Sequence, residues 1–221
     1  VSTVLLMRVR ATAPIRRWMS ALMLALAASL LAPPAKAAPD VDGAKAFIEG
    51  LASRAIEILQ RENGNLEQRE SELRKILSQD FDLPFIGRFV LGRHWRKATP
   101  DQRADYQALF AEWILKTYAR RLGGYSGETF QTTGARAAGD TDILVQTKIN
   151  RPSGPPIVAD WRVRTAPDGF RIIDIMVEGV SMAVTQRSEF NAVVGRDGID
   201  GLLSILRART QKFEMTSQLQ K

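Results

Sequence analysis

The chain has 221 residues, with 31 lysines and arginines against 24 aspartates and glutamates, one histidine and no cysteine. The missing cysteine excludes disulfides, thiolate nucleophiles and sulfur ligands, and a single histidine excludes any two-histidine metal site. The formal charge of +7 and a pI near 10.0 would suit a nucleic-acid binder, but the surplus is confined to the N-terminus.

Arg8, Arg10, Arg16 and Arg17 precede an apolar run from Trp18 to Ala32, followed by Pro33-Pro34 and Ala35-Lys36-Ala37-Ala38. This is the order of a secretory signal peptide, with cleavage expected before Ala38. The run is shorter than the roughly 20 residues that cross a bilayer, which argues against an uncleaved anchor. Arg16-Arg17 is only a weak twin-arginine signal. Residues 1–37 are therefore read as a signal peptide and 38–221 as a single domain, large enough for one core. The leader holds five of the cations and no acid, leaving 26 basic against 24 acidic residues. No clustered basic face of the kind that phosphate backbones require is evident, so nucleic acid is not an expected partner. Without a cysteine to lipidate, cleavage is expected to release a diffusible species.

From Val41 to Leu59 apolar residues recur at spacings of three and four, which predicts an amphipathic helix. Gly64 and Asn65 break it, and a second helix is expected to carry Leu66, Leu73, Ile76 and Leu77. A third follows Asp82, with Pro84 in its first turn and Gly92 as its stop. Thr99-Pro100-Asp101-Gln102 combines an N-cap, a first-turn proline and a capping-box glutamine. It opens a long helix with Tyr106, Leu109, Phe110, Trp113, Ile114, Thr117 and Tyr118 on one face, ended by Gly123-Gly124.

After Gly127 the period changes to two, with strands expected at 129–133, 143–150, 157–165 and 170–177. Pro152-Ser153-Gly154-Pro155 and Pro167-Asp168-Gly169 supply tight joints, so consecutive strands must run antiparallel. The last strand, with Ile172, Ile173, Ile175, Met176 and Val177, is apolar on both sides, as expected where it is covered twice or lines a cavity. Two closing helices are expected near 182–194 and 199–209, with a fraying tail beyond Gln211. Helices, sheet, helices is an α+β order with helices packed over an antiparallel sheet.

Catalytic equipment is sparse. Gly179-Val180-Ser181-Met182-Ala183 approaches a hydrolase elbow, but no histidine follows Ser181, as the order of that triad demands. The single histidine, His94, reads as structural or surface. Asp174 and Glu178 are about 13 Å apart along an extended strand, too far for a paired acid and base unless the chain turns between them. Neither glycine fingerprint for phosphates is present. An enzyme is not expected, and a surplus of large apolar residues in a secreted domain points to an apolar ligand.

Val90-Leu91-Gly92, Ala98-Thr99-Pro100-Asp101-Gln102-Arg103, Tyr118, the stretch Asp174-Ile175-Met176-Val177-Glu178-Gly179-Val180-Ser181-Met182 and Gly198-Ile199-Asp200-Gly201-Leu202 together resemble the MlaC/toluene-tolerance family of phospholipid-binding proteins. The resemblance spans nearly all of the mature chain, and Glu178-Gly179-Val180-Ser181 is its most specific part. It implies a curved antiparallel sheet of about four strands packed with helices around an apolar lipid cavity. The implied function is a periplasmic phospholipid carrier between an outer-membrane lipoprotein/porin complex and an inner-membrane Mla-type ABC transporter, maintaining outer-membrane lipid asymmetry. No cofactor is implied beyond the lipid cargo. A hopanoid-associated branch leaves a polycyclic cargo open, and a lipid-free periplasmic interaction module is the competing class.

The lipid-contacting wall is expected from Phe110, Trp113, Ile114, Tyr118, Trp161, Val163, Ile173, Ile175, Val180 and Met182, with plain core as the alternative role for each. Arg187 and Tyr125 are candidate headgroup contacts. Val180 is placed beside the cavity by its motif, so Val180→Glu is expected to empty the protein of lipid.

Overall fold

Asp40 starts the first helix, α1 (Val41–Leu59), by accepting a hydrogen bond from the Gly43 N–H at 2.9 Å. The structure is a computed structural model that describes residues 38–61, 66–122 and 127–218. The leader expected at 1–37, the helix breaks at Gly64-Asn65 and Gly123-Gly124, and Tyr125 lie outside the described residues. Helix α2 spans Leu66–Asp80 and α3 spans Leu83–Leu91. Asp82 caps α3 by accepting from Phe85 N at 2.9 Å, and Pro84 occupies the first turn, where its missing N–H costs nothing. Gly92 leaves the helix at φ 57, and a 3₁₀ turn follows over Gly92–Arg96.

The expected capping box is formed reciprocally. Gln102 N donates to Thr99 Oγ1 at 3.2 Å and Thr99 N donates to Gln102 Oε1 at 3.1 Å, opening α4 (Pro100–Leu122).

The antiparallel sheet has the order β1 (Thr129–Ala137), β2 (Asp142–Asn150), β3 (Ile157–Ala166), β4 (Gly169–Val177) and β5 (Val180–Ser181), and it curves without closing. Two bulges shift its registers. In β1, Thr132 faces Thr147 but Gly134 faces Gln146, leaving Thr133 as the extra residue. The alternation therefore breaks at Thr133, where the sequence reading ended the strand, although pairing continues to Ala137. In β4, Asp174 faces Arg162 but Ile172 faces Val163, so Ile173 is the extra residue. Ile175 and Val177 then share a face with Phe170 and Ile172, despite the odd spacing. This explains why β4 reads as apolar on both sides.

The fifth strand, not foreseen, follows a two-residue turn whose residues Glu178 (φ 49) and Gly179 (φ 78) both take positive φ, the signature of a tight antiparallel hairpin. Glu178 Oε1 also accepts from Val158 N at 2.8 Å, holding the turn against β3.

The two expected closing helices are both present in α5 (Met182–Gln218), which kinks between them at Gly198, where the backbone is non-helical (φ 72, ψ −178). That backbone region is open essentially to glycine alone. Helix continues past Gln211, so the tail expected to fray there is regular as far as Gln218.

Packing divides into two cores. One gathers Ala44, Ile48 and Leu51 of α1, Leu73 and Ile76 of α2 and Ile143, Val145, Val163 and Ile172 of the sheet. The other joins Val90 and Leu91 of α3, Tyr106, Phe110 and Trp113 of α4 and Phe190, Leu202 and Leu206 of α5. Tyr106, fully buried, donates its hydroxyl to Gly87 O at 3.0 Å, and burial raises its pKa far above the ordinary tyrosine value. Among the described residues no helix is long and apolar enough to cross a membrane.

Candidate functional site: an apolar cavity between two cores

Where the two cores meet they do not close on each other. A cavity of about 440 Å³ remains, a volume typical of sites for organic ligands. Its wall draws Ile48, Leu51, Ala52, Ala55, Ile56 and Leu59 from α1, Leu73, Ile76 and Leu77 from α2, and Ile86 and Val90 from α3. Phe110, Ile114 and Tyr118 of α4 line it, as do Phe130, Ile149, Ile157, Trp161 and Ile175 of the sheet and Met182 and Ala183 of α5.

The sheet residues meet there because register brings them to one face. Phe130 faces Ile149, Ile149 faces Ile157, and Trp161 faces Ile175, which the bulge at Ile173 returns to the inner side. Small side chains at Ala52 and Ala55 stand where larger ones on α1 would fill the space. Five residues bring polar side chains to the lining: Tyr118, Glu128, Thr129, Asp174 and Gln186.

Even those polar atoms are partly spent. Asp174 accepts from Ser181 Oγ at 2.6 Å, from Ile175 N at 2.9 Å and from Ala183 N at 3.1 Å. Ser181 Oγ in turn accepts from Val184 N at 3.0 Å, capping α5. The carboxylate and hydroxyl that could have suggested hydrolysis thus fasten the strand end to the start of α5. His94 is buried and its Nε2 pairs with Asn191 Oδ1 at 2.9 Å. No cluster of three or more metal-ligating side chains occurs among the described residues.

Of the ten residues expected to form the wall, Phe110, Ile114, Tyr118, Trp161, Ile175 and Met182 line the cavity. The other four lie elsewhere. Val163 is fully buried in the sheet-side core, Trp113 packs in the helical core against Phe110 and Phe190, and Ile173, the bulge residue, is buried outside the lining. Val180 is 54% exposed on β5 at the sheet edge and is not among the residues that line the cavity. Arg187 is exposed, with its guanidinium 5.1 Å from the Phe89 ring centroid, and does not line the cavity. The contributions of α1 and α2 were missed. Their periodic apolar faces were legible as buried, but nothing in the sequence distinguishes a face against side chains from a face against a void.

The sequence matches the family model described as MlaC protein over residues 49–208. The intermembrane phospholipid transport system binding protein MlaC of Haemophilus influenzae is 24% identical over 200 residues, covering 86% of this chain and 91% of that protein. The toluene tolerance protein ttg2D of Pseudomonas putida is 23% identical over 129 residues, 58% of this chain and 60% of its own length. Among solved structures, a phospholipid-binding protein of Ralstonia solanacearum in complex with a phospholipid superposes with a TM-score of 0.68 at 26% identity, covering 77% of this chain and 98% of that one.

Proposed function

The chain belongs to the MlaC family, and from that premise we propose that it is a non-enzymatic carrier that binds the acyl chains of a phospholipid in the cavity between its two cores. The observation that carries this reading is a 440 Å³ void lined almost wholly by hydrocarbon. Apolar surface left facing water is unfavourable by about 25 cal/mol per Å², and an apolar occupant would cover it. The phospholipid-bound relative supports the same choice of ligand.

The cargo explains why a carrier is needed. Transfer of a C16 chain from a bilayer to water costs roughly 12 kcal/mol at about 0.8 kcal/mol per methylene, and a diacyl lipid about twice that. Apolar side chains that replace the bilayer contacts remove this barrier without chemistry. Phe110, Ile114, Tyr118, Trp161, Ile175 and Met182, together with Ile48, Leu51, Ile76 and Phe81, are the proposed acyl contacts.

The leader-like N-terminus and the relatives support the setting. Export by a signal peptide at 1–37 would deliver the carrier to the periplasm, where it would exchange lipid between an outer-membrane lipoprotein/porin complex and an inner-membrane Mla-type ABC transporter and help maintain outer-membrane lipid asymmetry.

Native mass spectrometry of the protein as it accumulates in cells, followed by extraction of the bound mass, tests the reading. The expected result is one diacyl phospholipid per chain. A protein that is empty, and stays empty after incubation with phospholipid vesicles, would overturn it, and a bound hopanoid would replace the cargo.

A further inference from the structure

Across residues 38–221 the near balance of 26 basic against 24 acidic residues hides a local excess of positive charge. Between Asp82 and Asp101 the chain carries Arg88, Arg93, Arg96 and Lys97 and no acidic residue. The fold gathers these cations at the end of α3 and along the 3₁₀ turn, and all four are exposed. Contacts tie them into one face. Arg88 and Arg103 stack on the Trp95 ring, 5.9 and 5.5 Å from its centroid, and Arg103 also donates to Trp95 O at 2.8 Å and to Arg96 O at 3.3 Å. Arg93 lies beside His94, at 3.5 Å between side-chain nitrogens. From α5, Arg187 reaches the same turn. A side chain at Gly92 would stand 2.9 Å from Arg187 Nε.

None of Arg88, Arg93, Arg96, Lys97 and Arg187 has a carboxylate within ion-pair distance among the described residues. Acids on the neighbouring helices are engaged elsewhere: Asp105 with Arg207, Asp197 with Arg196, Asp200 with Gln102 and Glu189 with Gln186. Asp101 is the nearest acid in sequence to the four cations between Arg88 and Lys97. Five unneutralised cations around a half-exposed tryptophan and Phe89 form a cationic face with aromatic relief, the composition that settles at a membrane–water interface.

We propose that this face docks the protein on an anionic bilayer surface, through the phosphate groups of acidic lipids. Its placement suits that role, since Ile86 and Val90 of α3 line the cavity while Arg88, on the same helix, faces solvent. The attraction is independent of what the cavity holds and acts within about 8 Å at physiological ionic strength.

Co-sedimentation with vesicles of phosphatidylcholine, with and without phosphatidylglycerol, tests the proposal on the protein as it accumulates in cells. Binding is expected only with phosphatidylglycerol and should fall with added salt. Each cation removed weakens it roughly fivefold, so Arg93→Gln/Arg96→Gln/Lys97→Gln weakens it roughly a hundredfold. A control triple on α1 and just beyond its C-terminus, Lys45→Gln/Arg54→Gln/Arg61→Gln, lowers the net charge equally and retains binding. Equal losses in the two triples would assign the effect to net charge and overturn the proposal. So would wild-type protein that ignores phosphatidylglycerol vesicles, an outcome that would leave an acidic protein partner as the occupant. Bound lipid measured on the same variants separates docking from cargo binding, because the three cations are not part of the cavity wall.

Discussion

Trp161 donates its indole N–H to Thr147 Oγ1 at 2.9 Å, and the Thr147 hydroxyl in turn donates to Ala159 O at 2.7 Å. The bond takes the indole's only polar atom out of the cavity wall and leaves a carbon surface facing the void. Thr147→Val preserves the shape of this almost fully buried side chain but strips the indole of its acceptor. We expect a loss of about 1–3 kcal/mol in urea denaturation, together with weaker lipid retention. An unchanged midpoint would show that the indole finds another partner.

Filling the cavity should separate cargo from fold. Ala52→Phe adds a ring where α1 borders the void, so the protein should remain folded and copurify with less lipid, read by mass spectrometry of the extract. Val180→Glu, in contrast with the expectation from its motif, should change neither, because Val180 is exposed at the sheet edge.

Asp174 and Ser181 are predicted to be structural. Ser181→Ala removes the α5 cap and should cost about 1 kcal/mol, with bound lipid unchanged. Asp174→Ala removes the acceptor for two amides and a hydroxyl and should cost about 2–4 kcal/mol in thermal or chemical unfolding. A Ser181→Ala protein as stable as wild type would refute the capping role.

Acid should weaken the fold through Asp142. Burial pushes its carboxyl pKa up, but the hydrogen bond and charge of Arg164, with help from Thr141 and Arg162, outweigh this and hold it below the ordinary carboxylate value. A group whose folded pKa is depressed stabilises fully above its unfolded pKa of about 3.9 and loses that contribution as the pH falls through the folded value. Stability measured from neutral pH down to about pH 3 should therefore fall more steeply in wild type than in Asp142→Asn. At neutral pH the variant should be less stable by about 2 kcal/mol, a moderate figure because both arginines keep water contact.

Helices and strands were legible because each obeys a local rule. The Thr99–Gln102 box, the Asp82 cap and Pro84 marked helix starts directly, and the turn prolines and glycines fixed an antiparallel order. Features that depend on pairing were not legible. A bulge at Ile173 is visible only once β3 supplies a partner register, and without it the face of Ile175 cannot be assigned. The cavity is a further step removed, since it arises where two separately packed cores fail to meet. Six of the expected wall residues lie on it: Phe110, Ile114 and Tyr118 of α4, Trp161 of β3, Ile175 of β4 and Met182 at the start of α5. Trp113 and Val163 satisfy the same pattern one position over and are core.

The two-residue strand β5 has a consequence for the sheet as a whole. Without it, β4 would be an edge strand rich in isoleucine, with a row of free amides and carbonyls that could pair with any extended chain. β5 occupies one end of that row at Met176 and Val177, and Phe81 bridges to Ile172 further along, where Asp82 N donates to Ile172 O at 3.0 Å. At the opposite edge, the bulge at Thr133 interrupts β1 with an added twist. Both margins thus resist strand addition, so the sheet can carry so apolar a strand without inviting another copy to extend it.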